Sequence, residues 1–249
     1  MKIAKRLLIL LIAAAAILQI PFIYRRVQLG NAAAEIERAN AARTVPDTKG
    51  FAEYKGIIHA HTSLGGHSTG HFDELIPAAN ANGLDFVVMT EHYSELFDTA
   101  AHSLSGTYGR TLFVAGNEVD TADGDRFLLI PGGPDAAGFR TGSTPAFLEK
   151  IHAENRLAFI TYPEKFRSWD AAFDGDEVFS VHTQAKSVNK FSALFDLLWS
   201  YPAYPALTLT RHFSRPDANL QRHDETATQR AVTFSRYRRP LEHRISCFR

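Results

Sequence analysis

Residues 56–70 read Gly-Ile-Ile-His-Ala-His-Thr-Ser-Leu-Gly-Gly-His-Ser-Thr-Gly, and residues 83–92 read Gly-Leu-Asp-Phe-Val-Val-Met-Thr-Glu-His. In the first string an apolar run ends in His59 and His61, so a β-strand over Gly56–Ala60 sends both imidazoles from one face. Gly65 and Gly66 permit a tight reversal that returns His67 toward that pair. In the second string a strand over Asp85–Thr90 runs into His92. Glu118 follows a further strand-like run. Taken singly, each histidine reads as a structural loop residue. Four histidines and a carboxylate, each placed just after a strand, point together to a polynuclear metal centre.

Working outward, strand and helix patterns alternate. A helix is expected from about Phe72 to Asn82, stopped by Gly83, and a strand at Thr111–Ala115. Arg126–Ile130 reads as a strand, and Thr144-Pro145 opens a helix running to Asn155 with proline in its first turn. Leu157–Thr161 and Glu177–Val181 read as strands and Val188–Ser200 as a helix. Repeated βα units imply an α/β fold with a mainly parallel sheet. Ligand candidates at strand C-terminal ends match the place where barrel enzymes keep their chemistry.

The N-terminus differs in kind. Leu7–Tyr24 is an almost unbroken apolar run with Gln19 as its one strongly polar member, and as a helix it reaches about 27 Å, enough for a bilayer core. Lys2, Lys5 and Arg6 precede it and Arg25 and Arg26 follow, which favours a cytoplasmic N-terminus. A cleaved signal peptide competes, because Ala32-Ala33-Ala34 offers small residues for cleavage, but the arginine pair favours a retained anchor. Residues 1–29 are therefore expected to be a signal-anchor helix and 30–50 a stalk. Residues 51–230 then form the catalytic domain. The expected location is a bacterial inner membrane, single-pass, with that domain periplasmic. Lys plus Arg and Asp plus Glu number 27 each, so no net field favours nucleic acid. The single cysteine, Cys247, excludes a disulfide framework or a cysteine metal site.

The strings GIIHAHTSLGGHSTG, GLDFVVMTEH and AGNEV together resemble the PHP domain, the polymerase and histidinol phosphatase family, over roughly Gly56 to His182. The resemblance implies a distorted (β/α)7 barrel holding two or three divalent ions (Zn, Mn or Fe). It implies His59 and His61 as the first-motif ligands, His67 as the third histidine of that loop, and His92 as the histidine of a TDH-like motif. Glu91 falls in that motif's acidic slot and is assigned a catalytic part. Glu118 matches the family's bridging carboxylate, and His182 resembles a later family histidine, so it joins the ligand set.

Two places depart from the family pattern. At Ile160-Thr161-Tyr162-Pro163 the family's usual His-Pro pair is absent and Tyr162 stands in the histidine slot. A phenol, with its pKa of about 10, is a poor ligand near neutrality, so Tyr162 is assigned either packing or donation to a phosphoryl oxygen. The family's closing motif, Gly-x-Asp-Ala-His, is also missing. Residues 231–249 instead form an arginine-rich tail without periodicity. Back-translated from Arg236 and read one nucleotide later, that tail permits Gly-Thr-Asp-Ala-His-Ser-Asn-Ile-Gly-Phe, which is compatible with a frameshift and leaves the barrel incomplete at its C-terminus.

The function expected from these readings is hydrolysis of a small phosphorylated substrate. Neutral imidazoles suit zinc, iron and similar ions, and a carboxylate can bridge cations about 3.5–4 Å apart. Water acidified there attacks phosphorus without a side-chain nucleophile. Hydrolysis of C–N or C–O bonds by the same centre, and an inactive metal-binding remnant, are the rivals.

Overall fold

The computed structural model describes residues 2–44, 52, 54–66, 68–177 and 181–213. His67 and the tail from residue 214 lie outside these, so the expectations placed on them do too. The described chain divides into two compact units. One contains residues 2–44 and 181–213, and the other contains the remainder.

The second unit is built on strands β1 (Gly56–Ala60), β2 (Phe86–His92), β3 (Gly106–Tyr108), β4 (Thr111–Asp120), β5 (Arg126–Ile130), β6 (Leu157–Ile160) and β7 (Gly175–Asp176). They form one seven-stranded sheet in the order β1-β2-β4-β5-β6-β7, with β3 folded onto β4 as a hairpin. The expected mainly parallel barrel is corrected here to an open, curled, mixed sheet. β1-β2, β2-β4 and β6-β7 are parallel, whereas β4-β5 and β5-β6 are antiparallel.

The reason for the difference lies in the length of β4. Its pairing runs on to Asp120, five residues past Ala115, so only Thr121–Asp125 remain to reach β5. A link that short closes a hairpin and cannot cross over to a parallel strand. Gly124, with φ +81°, supplies the left-handed residue of that turn.

Helices α2 (Phe72–Ala81) and α4 (Thr144–Ala153) cover the outer face, and α3 (Thr99–His102) follows β2. Val87 and Met89 from β2 and Phe113 from β4 pack with Ala79, Leu75 and Ile76 of α2. Val119, Phe127, Leu129, Ala158 and Ile160 pack with Phe147, Leu148 and Ile151 of α4. Because side chains alternate along a strand, these choices turn Thr90, His92, Glu118 and Arg126 to the inner face. Helix α2 ends at its expected stop, with Gly83 at φ +63°.

The first unit begins with α1 (Lys2–Ala41), one continuous helix that passes through Pro21. The expected span and the part of the expected stalk up to Ala41 are thus a single helix, long and apolar enough to cross a membrane as an anchor or a signal sequence. Helices α5 (Val181–Ser187), α6 (Lys190–Ser200) and α7 (Pro205–Phe213) complete the unit. Of the expected strand Glu177–Val181, Glu177 follows the last paired residue, Asp176, and Val181 opens α5, while residues 178–180 lie outside the described residues. Asn189, whose Oδ1 accepts from Ser192 N at 3.0 Å, caps α6 and starts it two residues later than expected.

Candidate metal centre

The C-terminal ends of β1, β2, β6 and β7, the distal half of β4 and the start of β5 share one rim of the curled sheet. Register places His92 beside Glu118 on neighbouring strands and Asp120 beside Arg126. His59 lies in β1 and His61 directly follows it. A register irregularity between Ile57 and Ala60 marks a bulge in β1 where it reaches the site.

Three imidazoles converge on one carboxylate oxygen. His61 Nε2 lies 3.1 Å, His92 Nε2 3.4 Å and His59 Nε2 3.5 Å from Glu118 Oε2. His59 Nε2 and His61 Nε2 are themselves 2.9 Å apart. One ligand atom each from His59, His61 and Glu118 falls within 4.8 Å of the others. Glu118 Oε2 is buried with no properly aimed hydrogen-bond donor among the described residues. A buried anionic oxygen ringed by imidazole nitrogens is a donor set that fits a divalent cation such as zinc.

The electrostatics follow from this crowding. Burial disfavours a charged ring at His59, yet hydrogen bonds and charge from Glu118 and Glu177 outweigh it and push His59 up to about 9. Burial also works against ionised Glu118, but His59 and His61 hold it well below the usual carboxylate range. A proton on His59 and a divalent cation would neutralise the same carboxylate, so the two would compete there.

Glu177, absent from the sequence-based site, stands just past β7 with Oε1 2.9 Å from His59 Nδ1. Thr161 Oγ1 donates to its other oxygen at 2.9 Å. This is the carboxylate–histidine arrangement that fixes which ring nitrogen faces a metal. Arg126 is a second addition. Its Nη1 lies 3.3 Å from Glu118 Oε1 and its Nε donates to Asp120. Neither residue sits in a recognisable string. The acidic cluster Asp174-Gly175-Asp176-Glu177 was the one available signal, and it reads equally as a turn.

The remaining expected residues divide. Tyr162, at φ +55° in the left-handed region, has its ring 6.4 Å from that of His59. Burial, and then the charge of Glu118, pushes its phenol up to about 12, so it stays protonated near neutrality. Glu91 is fully buried and points away from the imidazoles. It accepts from Thr62 N at 2.9 Å, Thr62 Oγ1 at 2.6 Å and Gly65 N at 3.1 Å, and so pins the loop after His61. The backbone of His182 lies in α5, and its side chain is outside the described residues.

Compared with protein-family models, curated proteins and solved structures, the chain matches none.

Proposed function

We propose that this chain is a metal-dependent phosphoesterase of the PHP type, carried at a membrane by α1. The observation that carries the proposal is the convergence of His59, His61 and Glu118, with His92 beside them, at the rim of the sheet. In this reading His59, His61, His92 and Glu118 hold one cation, and His67, which the family resemblance also names, belongs to a second. Zinc, manganese or iron, if held by these residues, would supply Lewis acidity and an acidified water for hydrolysis at phosphorus.

The chain's own residues suit an anionic substrate. Arg126 Nη1 reaches Glu118 Oε1 at 3.3 Å, and Arg126 and Lys165 both lie against the Tyr162 ring, 5.3 Å and 5.7 Å from its centroid, so one positive charge touches the centre and a second stands at its neighbour Tyr162. A phosphate ester profits from both, whereas an amide or lactone does not. Tyr162 keeps its proton and so serves as a hydrogen-bond donor to a phosphoryl oxygen. Glu91 acts as a positioning residue, because its carboxylate is committed to the loop that follows His61.

The test is an assay of the full chain, loaded in turn with zinc, manganese and iron, against phosphate monoesters, phosphodiesters, amides and lactones. Hydrolysis of a phosphate ester, abolished by His59→Ala, is expected. Turnover of amides or lactones alone assigns the centre to C–N or C–O hydrolysis. Bound metal with no turnover of any class identifies a remnant.

A further inference from the structure

Helix α6 is apolar on two faces, and α1 covers one of them. Phe195 stacks on Phe22 with ring centroids 5.1 Å apart, and Trp199 Nε1 donates to Gln19 Oε1 at 2.9 Å. Buried Asp196 accepts from Arg25 Nη1 at 3.1 Å. On the other face Phe191, Leu194 and Leu198 recur at helical spacing and remain 61%, 56% and 67% exposed. Scattered exposed leucines are ordinary, but a contiguous stripe of large side chains marks a contact surface.

The neighbourhood of α6 says what covers that stripe. Phe191 also meets Phe22, at 6.4 Å between centroids, so the stripe runs without a break into the surface of α1. There Leu11 and Leu18 are exposed too. The contact residues Gln19, Phe22 and Arg25 lie where the apolar run of α1 gives way to Arg25-Arg26, the composition of a membrane boundary. Helix α6 has 11 residues, about 16 Å of helix, roughly half of what a bilayer core requires. It is too short to span, and its exposed apolar stripe is the feature that a helix lying in the interface sinks among the lipids.

We propose that α6 is an interfacial helix, docked on α1, with Phe191, Leu194 and Leu198 among the acyl chains of the bilayer that α1 crosses. This rests on the reading of α1 as a membrane helix. The part-buried Arg25–Asp196 pair ties the two helices together, so α1 acts as a structural part of its unit and not only as a tether. The occupant of the stripe is a phospholipid surface.

The test uses the full chain with Cys247→Ser and one nitroxide label, reconstituted in vesicles of phosphatidylcholine and phosphatidylglycerol. Labels at Leu198→Cys, Ile12→Cys and Leu96→Cys are compared for collisions with oxygen and with a water-soluble nickel chelate. Leu96 is 91% exposed in the other unit and serves as the aqueous reference. The expected result is an oxygen-to-nickel ratio several-fold higher at residues 198 and 12 than at residue 96. A lipid signature at 12 with an aqueous one at 198 overturns the α6 proposal and leaves the anchor standing. Aqueous signatures at both overturn the anchor reading and the proposal with it. Spin–spin broadening at 198, with neither reagent reaching the label, shows a second copy on the stripe and also overturns the proposal.

Discussion

His59 Nδ1 and Glu177 Oε1 stand 2.9 Å apart, although β1 and β7, which carry them to the site, are the two edges of the sheet. The sheet does not close by backbone pairing among the described residues. It curls until side chains from its first and last strands meet, and the candidate metal centre lies beside that junction. Glu177 thereby links the seam of the half-barrel to the orientation of a ligand.

Replacing Glu177 by glutamine is expected to lower zinc affinity about 10- to 100-fold, the usual cost of losing the carboxylate behind a ligating histidine. Calorimetric titration of the full chain checks this. Unchanged affinity shows that the carboxylate does not orient His59.

The metal-free protein has a pH signature. The folded value of His59, about 9, lies above its ordinary 6.5, so its stabilisation is complete below about pH 6.5 and fades as pH rises through about 9. Glu118 is shifted down from 4.5, so its stabilisation is present above pH 4.5 and fades as pH falls through the lowered value. Urea midpoints without metal should be highest between about pH 4.5 and 6.5 and decline toward pH 9. Zinc affinity should climb over that same upper range, because the cation displaces the proton on His59. A metal-free midpoint that rises from pH 6.5 to 9 contradicts the pairing.

Gly65 marks a close approach between the histidine loop and β2. A Cβ there meets Glu91 Oε2 at 2.7 Å and His92 N at 3.1 Å. Gly65→Ala is expected to destabilise the fold by about 1–3 kcal/mol through overpacking, read as a lowered thermal midpoint. Gly66→Ala acts differently. Nothing lies within 4 Å of its Cβ, but φ is +84°, so its cost is backbone strain of about 1–2 kcal/mol.

Tyr162→Phe removes a donor and little volume. If the phenol reaches a phosphoryl oxygen, kcat/KM for a phosphate ester should fall about 10- to 100-fold, the worth of a hydrogen bond to a charged group. Metal content should not change. Loss of metal together with activity places the phenol among the ligands instead.

The legible parts of this site were those with local pattern. The apolar run before His59-Ala60-His61 announces a strand and a shared face, and the strand before His92 is as clear, so three of the converging side chains could be placed from spacing. Glu118 was also found, although the full length of its strand was not. The stretch Gly116-Asn117-Glu118 looks like a loop until the hairpin partner Leu128-Leu129 is seen opposite, and Asp123-Gly124 is the local turn signal for that hairpin. Glu177 was illegible for a different reason. The strand that precedes it is two residues long, too short to show alternation, and its partner His59 is 118 positions away. Only the curl of the sheet brings them together.

The most direct measurement is the metal content of the purified full chain against that of the His59→Ala/His61→Ala double variant, by elemental mass spectrometry after exposure to zinc and removal of excess. A metal centre built on these histidines predicts at least one tightly held divalent ion per chain in the original protein, and its loss in a variant that keeps its secondary structure. Equal metal content in both proteins, or none in either, contradicts it.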